Sequence, residues 1–177
     1  MLARFVNMKK HFGATKAVDG ITVEVEAGEI RAIVGENGSG KSTLLSMIAG
    51  ILRPDGGEME LNGSAYHPKS QADANHKGVS MIVQEISTLK GLTVAENIFL
   101  GREAEYTTYG FRDLKKLNQM AAQKLKEAGL TEIKPDEDVS HYSLEQRKMI
   151  ELVRAADINP RILMVDETTT ALSQTGR

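Results

Sequence analysis

The stretch Gly35-Glu36-Asn37-Gly38-Ser39-Gly40-Lys41-Ser42 constrains this chain more than any other. It matches G-x-x-x-x-G-K-[ST], a pattern that needs a strand before it and a helix after it. Residues 29–34 (EIRAIV) read as a short, mostly apolar strand, and residues 42–52 read as a helical run. The physics of the motif is direct. Glycines let successive backbone N–H groups turn inward around a phosphate. The following helix aims its positive end at the same group. Lys41 adds a mobile cation for the β- and γ-phosphates of ATP, and the Ser42 hydroxyl is a hard oxygen ligand suited to Mg²⁺. The candidate nucleotide-binding set is therefore Gly35, Asn37, Gly38, Ser39, Gly40, Lys41, Ser42 and Thr43.

A second element complements the first. Residues 162–165 (ILMV) read as a buried strand that ends in Asp166 and Glu167. In α/β folds ligands bind at the carboxyl ends of the strands, so these acids are placed for chemistry. Asp166 is expected to hold Mg²⁺ and Glu167 to orient or deprotonate an attacking water. Residues 78–83 (GVSMIV) form another apolar strand ending at Gln84, whose amide can reach the same edge as a ligand for Mg²⁺ or water.

The rest of the chain organises around these points. Ile21, Val23 and Val25 alternate with Thr22, Glu24 and Glu26, the period of a half-buried strand. Residues 59–61 with Asn62-Gly63 look like one arm of a hairpin. Residues 66–77 read as polar and irregular. From 84 to about 157 the pattern is helical: Leu114, Leu117, Ala121, Leu125 and Ala128 recur at helical spacing, with Gly129 as the stop. Ser143 and Gln146 form a capping box that opens a helix to about 157, and Asn159-Pro160 breaks it. The order implies an α/β core, about 1–85 and 158–177, with a helical lobe of about 86–157 inserted in it.

Composition narrows the function. The net charge is −2, which argues against nucleic acid as a partner. There is no cysteine, which excludes a disulfide framework and thiolate chemistry. No secretory signal is visible, and no segment approaches the roughly 20 apolar residues that span a bilayer. No Asn-Lys-x-Asp element for guanine is present. His11, His67, His76 and His141 read as surface residues.

Taken together the motifs resemble the ATP-binding subunits of ABC transporters, above all those serving sugar importers. GENGSGKSTLLSMIAGILRPDGGEMELNG looks like their P-loop region, VSMIVQEISTLKGLTVAENIFLGRE like their Q-loop and the segment that meets the permease, and ALSQTGR like their D-loop. The resemblance implies a P-loop NTPase core of ABC-ATPase type, with an N-terminal antiparallel β part and an inserted helical subdomain. It implies ATP and Mg²⁺ as cofactors. It also implies a transmembrane permease and a second ABC ATPase half (homodimer or tandem cassette) as partners, a solute-binding protein acting indirectly, and a cytoplasmic position on the inner face of the cell membrane. Phe12 takes the place of the aromatic that stacks on adenine, with Val18 beside it. Gln84 becomes the Q-loop glutamine that couples to the permease. Ser143, Glu145 and Gln146 fall in the signature, which binds the γ-phosphate held by the partner subunit. Ala171 and Leu172 fall in the D-loop. Part of the apolar segment 85–100 is expected to form the groove for a permease helix.

Departures from the pattern carry their own expectations. The usual Leu-Ser-Gly-Gly-Gln is here Tyr142-Ser143-Leu144-Glu145-Gln146. Glu145 suits a helix N-terminus but is a like charge beside a γ-phosphate, which implies a weakened or asymmetric signature. Thr168 replaces a proline. The switch histidine of the family lies beyond Arg177, so the chain reads as a truncated cassette that binds MgATP and turns it over poorly. Two other readings compete with an importer ATPase: a non-transport ABC-type ATPase acting on nucleic acid or ribosomes, and a nucleotide-binding regulatory module.

Overall fold

A computed structural model describes residues 1–83, 87–108 and 110–166. The described chain divides into two compact units, one of Met1–Met81 with Pro160–Asp166 and one of 82–159.

In the first unit, strands β1 (Ala3–Phe12) and β2 (Thr15–Val25) pair as an antiparallel hairpin, with Ala3 opposite Val25 and Phe12 opposite Thr15. Along β1 the buried side chains are Ala3, Phe5 and Met8, a change of parity that the period of 2 does not allow in an unbroken strand. The register shifts between Phe5 and Met8, and Asn7 takes a positive φ of 51° there, so a bulge restores Met8 to the buried face. Helix α1 (Lys41–Ile48) follows. It stops short of the expected residue 52, because Gly50 takes a left-handed φ of 71° and the amides of Ile51 and Leu52 both turn back to the Ser46 carbonyl. Strand β3 (Gly56–Leu61) pairs with the other edge of β1, and β4 (Ser64–Ala65) closes a sheet of order β2-β1-β3-β4. Asn62 and Gly63 join β3 to β4 with φ of 52° and 71°, the two positive values that a two-residue hairpin turn demands.

Two expectations fail in this unit. Residues 66–77 are not irregular throughout: Gln71–His76 form helix α2. The Ser70 hydroxyl accepts from the Asp73 amide, Asp73 pairs with Lys77 at 2.8 Å, and Ala74 is fully buried. A Ser with Asp three residues on is an N-terminal signal that the polar composition hid. Residues 29–34 do not form a strand. Among the described residues no strand pairs with them, and Ile30 and Val34 stand 100% and 90% exposed. Apolar side chains alone do not make a strand; its N–H and C=O groups need a partner ladder. Strand β5 (Val79–Ile82), buried at every position, does find one: it shares a two-stranded sheet with a later strand, Ile162–Val165.

The second unit is helical. Helix α3 (Val94–Ile98) starts with a Thr93/Glu96 capping box. A small hairpin of β6 (Thr107–Thr108) and β7 (Phe111–Arg112) leads into α4 (Leu114–Glu127), and α5 (Leu144–Asp157) follows. The final strand, β8 (Ile162–Val165), belongs to the first unit. The α4 stripe buries Leu117, Ala121 and Leu125, whereas its two ends, Leu114 and Ala128, are exposed. These residues pack with Ile98, Phe99 and Ile150 in one core. Each fully buried large apolar side chain there contributes about 1.5–3 kcal/mol.

An ion network ties this core together from outside. The Asp157 carboxylate, 4% exposed, receives Arg102 Nη1 at 2.7 Å and Lys124 Nζ at 3.0 Å. Burial pushes the Asp157 carboxyl up, but the hydrogen bonds from Arg102 and Lys124 outweigh it and hold it below the usual carboxylate value. A depressed pKa stabilises the fold above the ordinary Asp value, and that contribution disappears as pH falls through the folded pKa. Stability against urea is therefore expected to fall as pH drops below about 4. Asp157→Asn lowers stability by about 1–3 kcal/mol at pH 7 and flattens this acid limb. An acid limb unchanged in the variant would assign the pH dependence to other carboxylates.

Candidate nucleotide-binding site

The loop of residues 35–39 is exposed and ends at Gly40, the N-cap of α1. No side chain caps this helix, and no acid lies in its first turn. The free amides and the positive end of the helix dipole thus remain available to an anion. Lys41 leans back over the loop: its Nζ donates to the carbonyls of Gly35 and Glu36, each at 2.9 Å. The ammonium is held at the loop by carbonyls, with no carboxylate among these two partners, so a phosphate meets a cation whose charge is not cancelled there. Ser42, on the first turn, is exposed and Thr43 half-buried.

The glycine pattern has steric causes. Gly40 has φ of 90°, and a Cβ built on it would overlap the Ala17 carbonyl oxygen and lie 3.3 Å from Val18 Cγ2. A Cβ on Gly35 would lie 2.6 Å from Ser39 Oγ. The loop is thus closed on itself at one end, and β2 presses directly against the start of α1 at the other. Ala17 was not singled out from the sequence, because its contribution is a backbone carbonyl and carries no residue signal.

The remaining expected residues divide into three groups. Val18 is buried under the loop, and Phe12 is half-exposed at the end of β1 with Lys10 Nζ 5.7 Å from its ring centroid. Asp166 follows β8 in the same unit and is 7% exposed. Gln84 and Glu167 lie outside the described residues, as do Thr168, Ala171 and Leu172. In the second unit, Ser143 caps α5 in a reciprocal capping box: its hydroxyl accepts from the Gln146 amide at 3.2 Å and the Gln146 side chain accepts from the Ser143 amide at 3.0 Å. Glu145 sits in the first turn, half-buried. His11, His67, His76 and His141 are all exposed.

Among the described residues no cluster of three or more His, Asp, Glu or Cys could hold a metal by itself. Hard-oxygen donors are present as the Ser42 hydroxyl and the Asp166 carboxylate, a sparse set that suits Mg²⁺ completed by phosphate oxygens and water.

An uncapped helix behind a glycine loop, with a lysine folded over it and an acid-terminated strand in the same unit, defines a P-loop nucleotide-binding protein. Comparison with known proteins sharpens this. The sequence pattern of the ABC transporter family matches residues 18–170, and the chain belongs to that family. It is 39% identical over 168 residues to a ribose import ATP-binding protein of Geobacillus kaustophilus, covering 95% of this chain and 34% of that protein. It is 38% identical over 176 residues to a xylose import ATP-binding protein of Photobacterium profundum, covering 98% and 34%. The chain thus spans about a third of the length of these relatives. Its fold matches a crystal structure of a nucleotide-free ATP-binding cassette from an ABC transporter, with a TM-score of 0.78 and 29% identity, over 98% of this chain and 70% of that one. A crystal structure of the ADP conformation of an ATP-binding cassette of an ABC transporter matches with a TM-score of 0.74 and 30% identity, over 92% and 66%. The α/β fold of ABC-ATPase type with an antiparallel N-terminal sheet agrees with the expectation from sequence.

Gly40→Ala tests the close approach of β2. The added methyl meets a backbone carbonyl at a left-handed φ, so unfolding free energy is expected to fall by at least about 1–2 kcal/mol. A variant as stable as the parent in urea would mean that the Ala17 carbonyl gives way freely.

Proposed function

We propose that this chain is the nucleotide-binding part of an ATPase that powers the import of a small solute, a sugar, through a membrane permease. The observation that carries it is the uncapped start of α1 with Lys41 bridging the Gly35 and Glu36 carbonyls, a ready anion site with a cation above it. The names of the relatives, ribose and xylose import ATP-binding proteins, support the solute class.

In this reading the loop amides hold the β-phosphate and Lys41 spans the β- and γ-phosphates. Phe12, with Val18 behind the loop, receives the adenine. Ser42, Gln84 and Asp166 hold Mg²⁺, which when bound neutralises charge on the phosphates. Glu167 orients the attacking water and takes its proton as the γ-phosphoryl group leaves, and Gln84 links this site to the permease. Ser143 and Gln146 of one chain face the γ-phosphate held by a second ABC half, so two chains close on two ATP molecules. A permease, and through it a solute-binding protein, complete the assembly on the cytoplasmic face of the membrane, with no nucleic acid involved. No described helix is long and apolar enough to cross a membrane.

The direct test is calorimetric titration of MgATP into the chain and into Lys41→Ala. The parent is expected to bind, and the variant to lose at least about tenfold in affinity, the equivalent of one charge-assisted contact. Equal binding by both would show that the loop is not the nucleotide site.

Glu145 modifies the reading. It occupies the first turn of a helix whose cap already engages Ser143 and Gln146 with each other. A carboxylate there competes with a γ-phosphate from the partner half, so the signature is weakened. In the complete protein, Glu145→Gly is expected to raise steady-state turnover severalfold and to strengthen ATP-dependent association of the two halves. Turnover and association both unchanged would remove Glu145 from the mechanism.

A further inference from the structure

Helix α5 carries Arg147, Lys148, Glu151 and Arg154 at positions i, i+1, i+4 and i+7, which share one side of a helix. Lys148 and Glu151 are each only 2% exposed, and Lys148 Nζ lies 3.0 Å from Glu151 Oε2. The contact is one of charge, without the alignment of a hydrogen bond at that oxygen. All four side chains reach the same short stretch of chain, Lys148 and Glu151 at its backbone and Arg147 and Arg154 at its hydroxyls. Lys148 Nζ donates to the Val83 carbonyl at 3.1 Å. Glu151 Oε1 accepts from the Ser87 amide, and Arg154 Nη2 donates to Ser87 Oγ. Arg147 donates from Nε and Nη2 to Thr88 Oγ1, at 2.9 and 2.8 Å. Residue 83 on one side and residues 87–88 on the other are therefore tied to a single helix, and Gln84 lies between them in sequence.

Stability alone does not account for this pair. Burying two charges costs several kcal/mol per ion, and apolar replacements of similar volume are often neutral or stabilising. What the pair provides is a fixed location for two separated points of backbone. The same helix begins at the Ser143 cap, so residue 83 and residues 87–88 are fastened to the helix that carries the signature segment.

We propose that Lys148 and Glu151, assisted by Arg147 and Arg154, are positioning residues: they fasten both flanks of the Gln84 segment to the helix that bears the signature, so that displacement at the signature end is delivered to Gln84. The inference rests on the role given to Gln84 above. In this proposal the four act through the segment rather than on the nucleotide.

The test uses the complete protein and the double variant Lys148→Met/Glu151→Leu, which removes both tethers while keeping the volume apolar. Two quantities are read: steady-state ATPase kinetics, and hydrogen exchange at the amides of Ser87 and Thr88. The expected result is a kcat lower by about tenfold with KM for ATP within about twofold, together with exchange at Ser87 and Thr88 at least about tenfold faster. A merely structural role would leave the folded variant with the kcat of the parent. Parental kcat, parental exchange, or a loss confined to KM would each overturn the proposal. If the double variant does not fold, Arg147→Met reads the same split from a half-buried side chain, with kcat expected to fall about threefold and unchanged kcat overturning the proposal. A parent that binds ATP but shows no turnover overturns the ATPase reading and this role with it, whereas an active parent with an unaffected variant overturns the tether alone.

Discussion

The close approach of the β2 backbone to the first turn of α1 sets the geometry on which the phosphate loop depends. At Gly40 the Ala17 carbonyl occupies the volume that any side chain would need. This contact fixes where the helix starts and leaves Gly40, rather than a Ser or Asp, as its cap. A capping side chain would occupy the very amides that a phosphate uses. The loop therefore forgoes the usual stabilisation of a helix start, of order 1 kcal/mol, in return for an open donor set. The Lys41 contacts with two loop carbonyls supply a modest internal substitute without placing a negative charge at the site.

The start of α5 follows the opposite rule. Ser143 and Gln146 engage each other's amides, and Glu145 complements the dipole. By every local criterion this is the better helix start. It is also the worse anion site, since its donors are occupied and an acid stands beside them. The two helix starts show the same conflict between local stability and ligand binding resolved in opposite directions within one chain.

Much of the architecture was legible from residues alone because local signals and tertiary context agree. The capping box at Ser143 and the stripe of Leu117, Ala121 and Leu125 both specify their helices without help from distant partners. Asn62-Gly63 specifies its turn for the same reason. The failures have two causes: a long-range pairing that composition does not reveal, and a local cap hidden in a polar stretch. The apolar run 29–34 has strand composition but pairs with no described strand. Helix α2 depends on one hydroxyl cap within a polar stretch. At the site, Lys41 and its glycines were readable because side-chain identity carries their chemistry. The Ala17 carbonyl and the tethers from Lys148 and Glu151 were not, since their meaning lies in which backbone atoms they reach.

The bare run 29–34 has a bearing on how this polypeptide behaves in concentrated solution. Ile30 and Val34 are almost wholly exposed, and on β8 Leu163 and Val165 are 40% and 43% exposed. Among the described residues no strand pairs with this run, and unpaired backbone beside apolar side chains is a template for strand addition. Charged neighbours blunt that tendency: Glu29 and Arg31 flank Ile30 and bond to each other, with Arg31 Nε donating to Glu29 Oε1 at 2.7 Å. This ion pair sets two opposite charges on either side of Ile30, and charges so placed oppose strand addition at that point.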